Sequence, residues 1–139
     1  MKKLLLLLLT TFSLFMTSCV TTDDFEESNN QITGVQITIL NNDNLPMRNV
    51  PVYAFSQATW EENGGELSNL EFADFVVNTD TKGIAVIEGM GSDVYFNALN
   101  NYSNVFTFVV EYEENGTVKR RVERLTMVYN MFYSLTFVV

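Results

Sequence analysis

The chemistry open to this chain is set by a short list of side chains. It has one thiol, Cys19, and no histidine. Ser-His-Asp and Cys-His nucleophilic schemes are therefore excluded, as is the usual imidazole general base. The common zinc and transition-metal ligands go with them. Gly64-Gly65 and Gly89-Met90-Gly91 lack the spacing and the lysine of a phosphate loop. Carboxylates remain. Glu61, Glu62, Glu66, Glu71 and Asp74 cluster in sequence, and a carboxylate pair can serve a glycosidase, but solvated loop acids look the same. Oxygen ligands suit calcium, and Asp43 with Asn41, Asn42 and Asn44, or Asp80 with Asp74, could contribute. No EF-hand-type spacing is present, and turn-forming Asp and Asn account for both places without a metal. The expectation is a chain with no enzymatic activity, no cofactor and no metal.

The thiol sits in a distinctive setting. Lys2-Lys3 is followed by an apolar stretch from Leu4 to Met16, then Thr17-Ser18-Cys19. A basic start, an apolar segment of about 7–15 residues and a small-residue junction are the parts of a secretory signal. The segment falls short of the roughly 20 residues that span a bilayer. With cysteine directly after the junction, it resembles the lipobox of bacterial lipoproteins, although Met16 holds the position usually taken by leucine. The resemblance implies that Cys19 is acylated and begins the mature protein. The other reading is a plain cleaved signal with a stray thiol, which in an oxidising compartment would be left reactive and unpaired.

Asp23, Asp24, Glu26 and Glu27 follow within eight residues. An acidic pair soon after a lipidated cysteine resembles the signal that sends some Gram-negative lipoproteins to the cell surface. The alternative is a solvated acidic spacer on a periplasm-facing anchor, repelled by anionic lipid. The expected organisation is a signal peptide over 1–18, an acidic tether over 19–31 and one domain over 32–139. The tether is polar, with only Val20 and Phe25 as larger apolar groups, too few to offset its ordering entropy. Without Lys2 and Lys3 the chain keeps six basic and seventeen acidic side chains, a net charge of −11 against −9 for the whole sequence. Nucleic acid needs a basic footprint, so it is not an expected partner.

The domain reads as strands. Val35, Ile37 and Ile39 alternate with Gln36 and Thr38, the period of a half-buried strand. Further strands are expected over Val50 to Phe55, Phe72 to Asn78, Ile84 to Glu88, Val94 to Leu99, Val105 to Tyr112, Thr117 to Tyr129 and Phe132 to Val139. β-branched and aromatic residues dominate them, and no segment has a convincing 3.6-residue period. Tyr133, Leu135, Phe137 and Val139 share one face, which places the last strand inside a sheet. Asn115-Gly116 marks a hairpin. A three-residue loop with Gly116 left-handed would pair Tyr112 with Val118, Phe108 with Val122 and Glu111 with Lys119. A two-residue turn would set Phe108 against Glu123, so the apolar pattern favours the longer loop.

Leu45-Pro46-Met47-Arg48-Asn49-Val50-Pro51-Val52 and, later, Asn78-Thr79-Asp80-Thr81-Lys82-Gly83-Ile84-Ala85-Val86 resemble the transthyretin-like or carboxypeptidase-regulatory-like sandwich, a relative of immunoglobulin-like domains. The resemblance covers about residues 32 to 99, with Asn44 in place of the usual glycine of the first turn. It implies an all-β, seven- to eight-stranded antiparallel Greek-key sandwich. Asp80 and Gly83 then serve as turn formers and not as a catalytic pair. By analogy such modules are stalks, accessory domains and binding surfaces.

One stretch breaks the strand rhythm. Gln57 to Glu71 holds the only tryptophan, Trp60, beside Glu61 and Glu62, and long loops on rigid sandwiches are where recognition is usually built. The competing reading has Trp60 folding back to plug one end of the sandwich. The functional expectation is a lipid-anchored envelope lipoprotein of the outer membrane, partnered by an envelope protein or a glycan. A carbohydrate-binding accessory of a glycan-uptake system is the alternative, with Trp60, Tyr102 and Tyr129 as its aromatics.

Overall fold

The computed structural model describes residues 32–63, 65, 69–97 and 100–139. They form a β-sandwich of seven strands: β1 (Gly34–Leu40), β2 (Pro51–Ser56), β3 (Phe75–Asn78), β4 (Ile84–Ile87), β5 (Ser103–Glu114), β6 (Thr117–Val128) and β7 (Phe132–Val138). One sheet has the order β4-β1-β7, the other β3-β2-β5-β6. A six-residue helix, α1 (Gln57–Glu62), and a 3-10 turn, Leu70–Phe72, occupy the stretch after β2.

The alternation of β1 does what its period dictates. Val35, Ile37 and Ile39 are fully buried, facing Val52 and Ala54 of β2 and Phe106, Phe108 and Val110 of β5 across the core. Burying one such side chain is worth ~1.5–3 kcal/mol. β5 is apolar on both faces for a reason the alternation rule does not cover. Its outer residue Val109 joins Phe55 and Leu70 in a second small core, which Trp60 of α1 covers from outside.

Five expectations are corrected. The sheets are antiparallel except at one place, where β7 runs parallel to β1 from Gly34↔Phe132 to Leu40↔Val138. β7 is also an edge strand, not an internal one, because β1 is its single neighbour among the described residues. Its alternation is real: Phe137 and Val139 are buried while Thr136 and Val138 are exposed. A period of two reports which face is covered, not how many edges are paired.

The β5–β6 register is the third. Glu114 pairs with Thr117 across a two-residue turn in which Asn115 (φ 53°) and Gly116 (φ 74°) are both left-handed, the geometry that matches strand twist. Phe108 therefore does lie beside Glu123, and Val110 beside Arg121. This is tolerable because the facing sheet has only three strands among the described residues. Residues 117–124 of β6 are all exposed, so their inward-pointing charges stay in water. Arg120 pairs with Glu111 on the outer face at 2.9 Å, and Lys119 with Glu114.

Fourth, no strand runs from Val94 to Phe96. A turn held by Phe96 N–H to Ser92 O (3.0 Å) drops the Phe96 ring against Phe106 and Tyr129 and leaves Val94 84% exposed. The strand expected from Phe72 starts at Phe75, since Leu70–Phe72 turns to bury Leu70 in the outer core.

Candidate functional site

β1 gives the sandwich two ends. Thr33 leads into it at the N-terminal end and is pinned there. Its hydroxyl accepts from Asn130 N–H (2.8 Å), its carbonyl from Met90 N–H (3.1 Å), and it is 2% exposed. Seven residues later the chain leaves β1 at the opposite, distal end, about 20 Å away at the rise of a strand.

Three turns meet at the distal end. In the first, Asn41 Oδ1 accepts from Asp43 N–H (3.0 Å) and Leu45 N–H (2.9 Å), and Asn44 is left-handed at φ 61°. Asparagine here takes the conformation that glycine takes most easily. In the second, Asp80 Oδ1 accepts from Lys82 N–H (2.8 Å) and Ile84 N–H (3.0 Å). Those two donors hold its carboxyl below the usual carboxylate range. What they contribute to the turn is present above the unfolded pKa and is lost as pH falls through the lowered folded value. Gly83 is left-handed at φ 73°, and a Cβ there would meet Ile39 O at 2.7 Å and Met47 N at 3.0 Å, so the first two turns are locked together. The third is the Asn115-Gly116 hairpin. β5 pairs with β2 only as far as Val110, so Glu111 to Glu114 project beyond β2 with β6 as their support.

Between the first turn and the projecting hairpin lies an open groove of about 470 Å³. Asn41, Asn42 and Asp43 line one wall, Tyr112, Glu113 and Asn115 the other, and Met47 is shared with a second hollow of about 320 Å³ beside Pro51 and Val118. Glu114 is paired with Lys119, whereas Asp43 and Glu113 make no ion pair among the described residues. The groove presents amide and carboxylate groups around one phenol ring, a surface that accepts hydrogen bonds from donor-rich ligands. No group of three or more acidic, Cys or His side chains is gathered for a metal among the described residues. Asn41 Oδ1 and Asp80 Oδ1 are taken up by their own turns.

The residues singled out from sequence are only partly brought together. Asp80, Gly83, Asn115 and Gly116 all lie at the distal end. Trp60, Glu61 and Glu62 lie elsewhere, on α1 against the outer face of the four-stranded sheet. Trp60 is half-buried, its ring edge-on to Phe55 with centroids 5.3 Å apart. It covers a satellite core and does not plug an end of the sandwich. Glu61 accepts from Gln57 Nε2 at 2.8 Å, and Glu62 is exposed. Tyr102 and Tyr129 pack against each other at 89°, so they form no flat aromatic platform. Cys19, Asp23, Asp24, Glu26 and Glu27 lie outside the described residues.

Asp74 has a role that its neighbours in sequence did not reveal. Its carboxylate accepts from Ser56 N–H (2.6 Å), Thr59 Oγ1 (3.0 Å) and Tyr95 OH (3.3 Å), while Ser56 Oγ caps α1 by accepting from Thr59 N–H. It ties the start of α1 to β3 and to the Ser92–Phe96 turn. Burial first, then the Asp74 charge and hydrogen bond, push the Tyr95 phenol up, keeping it a neutral donor. The one signal in the sequence is Ser56 three residues before Thr59, a weak helix start. Asp74 and Asp80 stand at opposite ends of β3 and form no site with each other.

No family model matches the chain, and no curated protein sequence does. Among solved structures, the Bacillus anthracis TIE protein is similar over 77% of this chain and 16% of its own length, with 14% identity and a TM-score of 0.43.

Proposed function

We propose that this chain is a lipid-anchored outer-membrane lipoprotein whose transthyretin-like sandwich is a non-enzymatic interaction or structural module displayed on the cell surface. The observation that carries the reading is the separation of the two ends. The segment holding Cys19 and the acids joins the fold at Thr33, and the open groove lies at the far end of β1, where a partner would meet it clear of the membrane. The family reading is supported by the Thr79–Gly83 turn, in which Asp80 and Gly83 act as turn formers.

The test has three arms. Cys19→Ala should leave an uncleaved precursor or soluble protein on fractionation, and a mature-size band still in the outer membrane would sink the anchor. Protease added to intact cells should remove the domain, and changing Asp23, Asp24, Glu26 and Glu27 to Ala should protect it. Unchanged cleavage would reduce those acids to a spacer. A photo-cross-linking side chain placed at Asp43 on live cells should capture an envelope partner, and one at Glu62 should not. Capture from Glu62 alone would move the site to α1.

A further inference from the structure

β6 is an unusual edge. It is the last strand of its sheet, twelve residues long, and among the described residues nothing pairs with its outer side. Proteins protect such edges by shortness, by bulges, by proline, by cover or by charge. The other sheet edges here use shortness: β3 and β4 have four residues each and β7 has seven. β6 pairs with β5 through twelve consecutive positions without a bulge, and contains no proline. Charge is its remaining protection.

That charge is mostly positive, with Lys119 and Arg120 already meeting Glu114 and Glu111 of β5. Of the six Lys and Arg side chains in the described residues, Lys119, Arg120, Arg121 and Arg124 are all on β6, in a chain of net charge −9. With Glu123 the strand carries +3. A second copy would bring the same +3 alongside, and like charges across a pair of strands repel. Strands of opposite charge are not excluded. Val118 and Val122, 62% and 37% exposed, alternate with Arg120 and Arg124 on the outer face and offer apolar contact between the cations. Arg121 points the other way and reaches Val138 O of β7 at 3.4 Å.

We propose that the free edge of β6 is a strand-addition site for an extended acidic segment of a partner protein. Main-chain hydrogen bonds would supply the docking and the arginines the selectivity. The proposal does not depend on the lipid anchor or on the distal groove, and fails or stands separately from them.

The test uses the full-length chain in detergent and a labelled, end-capped twelve-residue peptide of Glu, Val and Thr. Two comparison peptides carry Lys for each Glu, or Pro at alternate positions. The acidic peptide should bind at least tenfold tighter than either. Arg121→Glu with Arg124→Glu should weaken it at least tenfold, and Arg124→Glu alone should weaken it measurably if the double variant does not fold. Equal binding of the proline peptide would mean charge attraction without strand addition and would overturn the proposal. So would binding of the Lys peptide, or a dimer by sedimentation that the double variant dissolves. Asp23, Asp24, Glu26 and Glu27 to Ala should leave the affinity unchanged, whereas a tenfold gain would make the chain's own acids the occupant and overturn a partner.

Discussion

β5 and β6 are twelve residues each, lie side by side in one sheet and pair along their whole length, yet their surroundings are opposite. β5 is buried from Phe106 to Val110 on both faces, by the facing sheet on one side and by the α1 cover on the other. β6 is exposed from Thr117 to Arg124 on both faces. The backbone is the same; what differs is how many layers reach each strand. β5 is therefore apolar at four of the five positions from Phe106 to Val110, while β6 is free to carry charge on both sides and its sequence can serve selection of a partner.

The contrast is broken most severely from the β5 side. Phe106 is fully buried and packs against Tyr95, Phe96 and Phe108 with ring centroids 5.6, 6.2 and 6.4 Å away. Phe106→Ala should cost ~3–5 kcal/mol in denaturant melts, a large part of the ~5–15 kcal/mol of an ordinary domain. A loss below about 1 kcal/mol would mean that β5 is not the centre of the core. The outer cover is thinner. Trp60 is half-buried and meets Phe55 edge-on, so Trp60→Ala should cost about 2 kcal/mol. If the melting temperature does not move while partner capture fails, Trp60 is a contact residue and the outer core stands without it.

Much of this was legible in the sequence, and the failures share a cause. The alternation in β1, the Asp80–Gly83 turn and the Asn115-Gly116 hairpin are local, and local chemistry specifies them. The register of that hairpin is hidden in the sequence because Arg121 and Glu123 point inward, and an inward position on β6 is not a buried one. Nothing in residues 112–124 tells that the opposing sheet stops at β7, a strand that itself pairs with β1 from far away in the chain. The edge position of β7 is hidden for the same reason: its apolar face is written in Tyr133, Leu135, Phe137 and Val139, and its free edge is not. Asp74 was visible as one acid among several, but its three donors come from Ser56, Thr59 and Tyr95, which only the folded chain assembles.

One residue on β5 sharpens the comparison in the other direction. Thr107 lies on the outer face opposite Arg124, is 1% exposed, and its hydroxyl finds no hydrogen-bond partner among the described residues. A buried polar group left unpaired costs about 1–3 kcal/mol. Thr107→Val keeps the branched shape and removes the oxygen, so it should stabilise the protein by ~1 kcal/mol in the same melts. A destabilised Thr107→Val would show that the hydroxyl is satisfied after all.

The smallest effect belongs to the residue across from it. Arg124 is exposed and forms no ion pair among the described residues. Its neighbour Thr107 on β5 is 1% exposed, while Arg124 stands one strand further out, on the exposed edge strand. Arg124→Ala should therefore change stability by less than about 0.5 kcal/mol, as surface substitutions do. The same change should still weaken binding of an acidic strand. A substitution silent in the melt and visible in binding is what separates a strand kept for recognition from one kept for the fold. If Arg124→Ala instead lowers stability by more than about 1 kcal/mol, the basic face of β6 is part of what holds β5 in place, and the division between the two strands is wrong.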